Sequence, residues 1–210
     1  MTWRFYTIFV FLLFLNCKED KIINHISLQK KYTIGILPYY KIEKYKIDTI
    51  KSTLEKFYNL EVIVLPEIEA PKSAFTNLKS ARYRADSLIK FQKKMLKSKK
   101  ITHILGLSNF DISTTKKKEP FTKYQDWGIM GLGYCPGNSC IVSTFRLQNK
   151  NKNIFWDRYK KVVIHEMGHN FGLPHCPDKK CVMTDAVESV KTIDNAAMKI
   201  CKICTKKIKI

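Results

Sequence analysis

The chain of 210 residues lacks an apolar run of about 20 residues, the length that a membrane-spanning helix needs. It also has no internal repeat and no low-complexity segment, which argues against solenoid and disordered architectures. Arginine is scarce, with only five Arg among 38 basic residues. Because Arg supplies most base contacts and phosphate forks, this scarcity argues against nucleic acid as a partner.

The charge balance is nevertheless strongly basic, with a formal net charge of +20 at pH 7. The lysines are spread in short clusters such as Lys97–Lys100 and Lys116–Lys118, so we interpret them as a solvated surface. Attraction to anionic lipid or polysaccharide stays open. Hydrophobic residues make up 45% of the chain, which is typical of globular proteins. The length predicts one domain over residues 31–210.

The N-terminus is similar to a bacterial lipoprotein signal. One basic residue precedes an apolar run, Phe5–Leu15, which has the length of a signal-peptide core. Asn16-Cys17 follows, so we predict a signal peptide over 1–16, lipidation of Cys17 and a tether over 17–30. An uncleaved membrane anchor and a buried strand are the alternatives. The lipoprotein interpretation predicts a bacterial envelope location, periplasmic or on the outer surface, with a cytoplasmic protein as alternative.

The hydrophobic pattern alternates between strands and helices, which predicts an α/β fold. The predicted strands are Tyr32–Leu37, Glu61–Leu65, Ile101–Leu107, Trp127–Tyr134 and Ile141–Leu147. The predicted helices are Tyr45–Tyr58, Arg82–Leu96 and Ile154–Phe171.

The most informative segment has the pattern H-E-x-x-H-x-x-G-x-x-H. His165 and His169 are four residues apart on a predicted helix, so both imidazoles project from one face, and Glu166 is placed to reach a water at the same ion. Gly172 can end the helix and turn the chain back, which lets His175 return as a third nitrogen ligand. Three ligands leave one position open, as in catalytic zinc sites. The alternative is a set of core histidines without metal.

Four cysteines follow at close spacings, in the pattern C-x4-C-x-M-x17-C-x-x-C. They are Cys176, Cys181, Cys201 and Cys204, with Met183 between the pairs. Two close pairs of thiolates favour a structural zinc site without an open position. Two disulfides or a redox C-x-x-C are the alternatives, although no βαβ pattern leads into the second pair.

From His165 to Cys204 the chain resembles the archaemetzincin signature, and archaemetzincins are metzincin-clan zinc metallopeptidases. The resemblance implies catalytic zinc on His165, His169 and His175, with Glu166 as general base. It also implies a second, structural zinc on the four cysteines, and Met183 as the Met of the Met-turn beneath the catalytic zinc. Some metzincins carry a Tyr ligand two residues later, where this chain has Asp185.

The same resemblance implies an α/β (α+β) fold with a metzincin-like mixed twisted sheet, then the active-site helix, then a small C-terminal subdomain that holds the second zinc. An edge strand of such a sheet binds an extended substrate, and Trp127–Leu132 or Ile141–Thr144 is the candidate. Between them, Cys135 and Cys140 frame a Pro-Gly turn, so a disulfide is possible there, with free thiols as the alternative.

The predicted function is hydrolysis of peptide bonds in peptides or proteins, through a zinc-activated water with Glu166 as general base. We expect two zinc ions, a lipid anchor in the membrane and a monomeric protein. A zinc-binding surface lipoprotein that only binds is the alternative. A nucleic-acid-binding zinc protein would explain the charge but not three histidines around a Glu.

Overall fold

The computed structural model describes residues 32–96, 100–185 and 189–210. Its strands are β1 (Thr33–Pro38), β2 (Glu61–Val64), β3 (Phe75–Thr76), β4 (Arg82–Arg84), β5 (His103–Ser108), β6 (Ile112–Thr114), β7 (Trp127–Ile129), β8 (Gly131–Gly133) and β9 (Ser139–Ser143). Its helices are α1 (Lys44–Tyr58), α2 (Ala85–Leu96), α3 (Phe121–Tyr124), α4 (Lys152–Asn170), α5 (Val190–Asn195) and α6 (Lys202–Thr205). Two 3-10 turns span Lys72–Ala74 and Phe145–Leu147.

The predicted signal peptide (1–16), lipidated Cys17 and tether (17–30) lie outside the described residues, so they stay predictions. Residues 32–210 form one compact unit. No helix of the described part is long and apolar enough to cross a membrane.

A five-stranded sheet with the order β2-β1-β5-β9-β8 forms the centre of the fold. The first four strands are parallel, and β8 alone runs antiparallel, beside β9. Every residue of β1, β5 and β9 is buried, because helices cover both faces of a mostly parallel sheet. The predicted mixed α/β fold is therefore confirmed.

Helices pack on the two faces of this sheet. On one face, Ile36 of β1 and Val142 of β9 share a core with Leu54 of α1 and Met167 of α4. On the other face, Ile104 and Ile141 pack with Leu88 and Ile89 of α2. The helix α4 thus lies against the sheet, and its C-terminal half is buried almost throughout.

A second, four-stranded sheet has the order β3-β4-β6-β7, and it corrects two sequence-based boundaries. Arg82–Arg84 is a strand and not the start of α2, because its arginines pair with the buried Asp111 and Asp126. Trp127–Tyr134 is not one strand. The chain bends at Met130, so β7 joins the small sheet and β8 the large one.

The predicted strand Ile141–Leu147 also ends early. Its ladder stops at Ser143, and Phe145–Leu147 forms a 3-10 turn. After α4 the chain forms a small C-terminal segment, 171–210, whose described part contains only the short helices α5 and α6. Its backbone is held mostly by loop hydrogen bonds, such as that from Val182 N–H to the carbonyl of Lys199.

Candidate active site

The helix α4 carries the first two histidines of the motif on its last turns. Asn151 caps its start by accepting a hydrogen bond from the N–H of Asn153. The helix ends at Asn170, and Gly172 then takes a φ of +86°, which favours glycine. This turn brings the chain back, as predicted, so that His175 faces His165 and His169 with ring centroids 5.4 and 4.8 Å away.

Backbone carbonyls fix the orientation of the two helical histidines. Nδ1 of His165 lies 2.8 Å from the carbonyl oxygen of Val182, and Nδ1 of His169 lies 2.7 Å from that of Leu173. A carbonyl only accepts, so each Nδ1 carries the proton and each Nε2 offers a lone pair. The two Nε2 atoms are 3.0 Å apart, an arrangement that a cation between them would stabilise.

Electrostatics keep these imidazoles in the neutral form that binds metal. Burial, with the neighbouring His169, lowers the pKa of His165 to about 3. Burial also lowers the pKa of His169. One ring nitrogen from each of His165, His169 and His175 lies within 4.8 Å of the other two. The residues therefore fit a zinc ion, with His175 as the exposed member, 3.7 Å from a carboxylate oxygen of Asp185.

Glu166 lies between the histidines and the edge strand β8. A Cβ atom on Gly131 would lie 2.7 Å from Oε1 of Glu166, and one on Gly133 would lie 2.5 Å from its backbone oxygen. Both glycines are thus required for the strand to pass so closely. Burial raises the pKa of Glu166 to about 8, while a hydrogen bond from the backbone of Gly133 lowers it in part.

Met183, the Met of the predicted Met-turn, is fully buried in the turn whose Val182 carbonyl contacts His165. It packs against Gly168, where an added Cβ would lie only 2.5 Å from its sulfur. The same turn provides two of the contacts that build the site. The carbonyl of Val182 receives the His165 hydrogen bond, and the carbonyl of Met183 accepts from the N–H of Cys176.

The four predicted cysteines also converge, and all are free thiols. Their sulfurs lie within 4.8 Å of one another. The sulfurs of Cys176 and Cys201 are 3.7 Å apart, far beyond an S–S bond of about 2.05 Å. Two thiolates on one tetrahedral zinc lie about 3.8 Å apart, given Zn–S bonds of about 2.3 Å. A backbone hydrogen bond from Cys204 lowers the pKa of Cys201 to about 7, whereas burial raises the pKa of Cys181 and of Cys204.

The possible disulfide between Cys135 and Cys140 is wrong. In the β8–β9 ladder Gly133, not Cys135, is the partner of Cys140. The sulfur of Cys140 is buried 3.4 Å from that of Met167, whereas Cys135 is exposed. The two thiols are therefore separate free groups.

The site opens into a cleft of about 510 Å³ that β8 lines along its edge. Of the two candidate edge segments, Ile141–Thr144 is wrong, because β9 lies between β5 and β8. The other, Trp127–Leu132, is right in part: the edge of the large sheet is Gly131–Gly133, and Trp127–Ile129 lines the same cleft from the small sheet.

Sequence reasoning missed several residues that shape the site. Gly168 admits Met183, and Gly131 and Gly133 admit Glu166. The paired spacing of Gly131 and Gly133 at a predicted edge strand is a signal that could have identified them. Arg146 and its partner Asp111 carry no such signal, since they meet only in the folded chain.

Comparison with known proteins agrees with this geometry. The sequence pattern of Peptidase family M54 matches residues 29–210. The archaemetzincin of Haloquadratum walsbyi is 31% identical over 164 residues, which cover 74% of this chain and 87% of that protein. The archaemetzincin of Halobacterium salinarum is 27% identical over 184 residues, covering 83% and 98%.

Two solved structures share the fold. The archaemetzincin of Archaeoglobus fulgidus, crystallised with malonate, has a TM-score of 0.68 at 24% identity, covering 84% of this chain and 99% of that one. The archaemetzincin of Methanopyrus kandleri has the same score and identity, covering 84% and 92%. The metzincin-like sheet, helix and C-terminal segment predicted from the sequence therefore agree with the fold of these structures.

Proposed function

We propose that this chain, which belongs to Peptidase family M54 and is a zinc metallopeptidase, cleaves peptide bonds with Glu166 as general base. His165, His169 and His175 would hold the catalytic zinc. The observation that carries the proposal is the position of Glu166, buried beside the three-histidine cluster at the wall of one open cleft. A binding module without catalysis would not need a carboxylate there, so the non-catalytic alternative is not favoured.

The reaction follows from the groups in the cleft. A zinc ion held by the three histidines would lower the pKa of a water toward about 7 and would polarise a carbonyl oxygen. Glu166 would accept a proton as water attacks the scissile carbonyl, and would pass that proton to the leaving amine. The hydrogen bond from Gly133 holds the carboxylate in place for both transfers.

The substrate is proposed to be an extended segment of a peptide or protein. As the outer strand of its sheet, β8 leaves one row of backbone N–H and C=O groups beside the cleft. An extended peptide that binds antiparallel to Gly131–Gly133 would pair with those groups and bring its backbone past Glu166.

We also propose a second, structural zinc on Cys176, Cys181, Cys201 and Cys204. The tetrahedral sulfur spacing and the absence of S–S bonds among these four support it. Because Cys176 directly follows His175, this zinc would fix the third histidine of the catalytic site.

The location stays a proposal based on the N-terminal sequence. A lipid on Cys17 would anchor a monomeric enzyme to the bacterial envelope. Expression of wild type and Cys17→Ala in a bacterial host, followed by fractionation and mass spectrometry, tests it. Membrane-bound wild type with soluble Cys17→Ala supports the anchor. If both proteins are soluble and retain Met1, the protein is cytoplasmic.

A digest of a peptide library tests the activity. The zinc-loaded protein is expected to cleave defined peptide bonds, to stop with a chelator and to resume after zinc is restored. A fully metallated, folded protein that cleaves nothing would favour the binding module. Cleavage that persists after metal removal would point to a contaminating peptidase.

A further inference from the structure

The cleft at the proposed catalytic site continues to a group of basic side chains. Lys116, Arg146 and Lys161 line it, whereas Glu166 is the only acidic residue on the described part of its wall. Lys161 is engaged by Asp157 at 2.5 Å. Basic side chains thus outnumber acidic ones on the described part of this wall, which favours an anionic group in the ligand.

Arg146 is held rigidly in this wall. Its Nε and Nη2 donate to the two carboxylate oxygens of Asp111 at 2.7 and 2.8 Å, and Asp111 is buried. The guanidinium packs directly on β7, where a Cβ atom on Gly128 would lie only 2.0 Å from Nη2. Two parallel hydrogen bonds and a flat contact leave the guanidinium little freedom to move.

The same guanidinium keeps both charge and donors for a ligand. Asp111 takes two of its five N–H donors, and no described residue accepts from the other three. About a third of the side chain (35%) is exposed. Arg82 lies 3.3 Å from the same carboxylate, and Asp126 is likewise shared by Arg82 and Arg84. Arg84 also pairs with Asp86 at 3.2 Å, so the network balances three arginines with three carboxylates, and Arg146 shares Asp111 with Arg82.

The distance between Arg146 and Glu166 determines how far from the scissile bond the anionic group of such a ligand would lie. Gly131 contacts Glu166 and Gly128 contacts Arg146, and three residues span at most about 10 Å. A peptide that pairs antiparallel with β8 has its C-terminal side toward Met130, where the chain bends into β7 and Gly128. A carboxylate two or three residues after the scissile bond would therefore reach Arg146.

We propose that Arg146, positioned by Asp111, determines specificity by binding a substrate carboxylate two or three residues after the scissile bond. The carboxylate belongs either to an acidic side chain or to the C-terminus of the peptide. This inference rests on the proposed peptidase function and adds the class of substrate.

Matched fluorogenic peptides test the preference. The peptides are based on a sequence cleaved in the library digest. The two members of the first pair differ only in having Glu or Gln at the second or third position after the scissile bond. A second pair ends there with a carboxylate or an amide. Wild type is expected to favour one or both carboxylate members about tenfold to a hundredfold in kcat/KM, the factor of a charge-assisted hydrogen bond. In Arg146→Gln the ratio should fall to about one, and Arg146→Lys should restore part of it.

Arg84→Gln is the matched control, because Arg84 belongs to the same ion-pair network but does not line the described cleft. It should keep the wild-type ratio, whereas a merely structural role would affect both variants alike. Binding of the same labelled peptides to Glu166→Gln protein, followed by fluorescence anisotropy, gives a readout that needs no turnover. Absence of cleavage would contradict the peptidase proposal, and equal binding of Glu and Gln peptides would overturn this one. A preference for carboxylates before the scissile bond, or one that survives in Arg146→Gln, would also overturn it.

Discussion

The histidine cluster and the cysteine cluster are built on different kinds of backbone. His165 and His169 lie on α4, a long helix that packs on the central sheet. The cysteines lie in loops and at the short helix α6, in a segment with little regular secondary structure. A helix holds its side chains in position without a ligand, whereas loops with few backbone hydrogen bonds do so poorly.

This difference predicts different responses to the loss of metal. The helical part of the histidine site should keep its shape, because hydrogen bonds within α4 hold His165 and His169 on one face of a helix that packs on the sheet. The cysteine site should lose order, since binding of a structural metal is coupled to folding. Two links join the sites: the peptide bond between His175 and Cys176, and the contact of His165 with the carbonyl of Val182, next to Cys181. Disorder in the cysteine site would therefore displace His175 and remove the hydrogen bond that orients His165.

The largest expected effect lies in the rigid region and concerns chemistry alone. Glu166→Gln should lower kcat/KM for peptides by about 10²–10⁴, the usual contribution of a general base. The change is nearly isosteric, so zinc content and melting temperature should stay close to wild type. Peptide kinetics with metal analysis is the measurement, and wild-type turnover in this variant would contradict the role of Glu166.

The next effect lies in the cysteine segment. Cys181 is fully buried, so Cys181→Ser should lower the free energy of unfolding by more than about 3 kcal/mol through loss of metal binding. Residues 171–210 should become sensitive to protease. His169→Ala is the control: it should lose one zinc ion while this segment stays protected. If residues 171–210 become equally sensitive to protease in both variants, the histidine and cysteine sites do not respond independently to the loss of metal.

A smaller effect is expected where the two regions touch. Gly168→Ala places a methyl group 2.5 Å from the sulfur of Met183, and such overpacking should cost about 1–3 kcal/mol of stability. Chemical denaturation measures this cost. In the double variant with Met183→Ala the two costs should not add, because the clash is gone. Strict additivity would mean that the two side chains do not interact.

The smallest effect concerns the attachment of α5 to α4. Arg158 donates two hydrogen bonds of 2.7 Å to Asp194, and these lower the pKa of Asp194. Because the pKa of Asp194 is lower in the folded state, the ion pair stabilises the fold at pH values above the unfolded-state pKa of about 3.9. This stability is lost as the pH falls through the folded-state pKa. Asp194→Asn should therefore cost about 0.5–1 kcal/mol at pH 7 and progressively less as the pH falls below about 3.9. Melting curves across this range measure the difference, and a constant cost would exclude the ion pair as its cause.

Local spacing alone predicted the centre of the site. An i, i+4 pair on a helix must share a face, so the spacing of His165 and His169 is enough to place them together. Gly172 provides the turn that returns His175, and its positive φ confirms that prediction. The strands β1, β2 and β5 and the helix α1 were also predicted to within two residues of their ends, because their apolar periodicity is strong.

The surroundings of the site were decided by tertiary packing. An apolar alternation over Trp127–Tyr134 cannot show that the chain bends at Met130 and joins two sheets. Nor can it reveal which strand is left at the edge, since the order of strands is set by long-range pairing. The contacts of Gly168 with Met183 and of Arg146 with Asp111 join residues 15 and 35 positions apart. The helix repeat fixes neighbours one turn apart, whereas these pairs form only once the sheets, α4 and the C-terminal segment pack together.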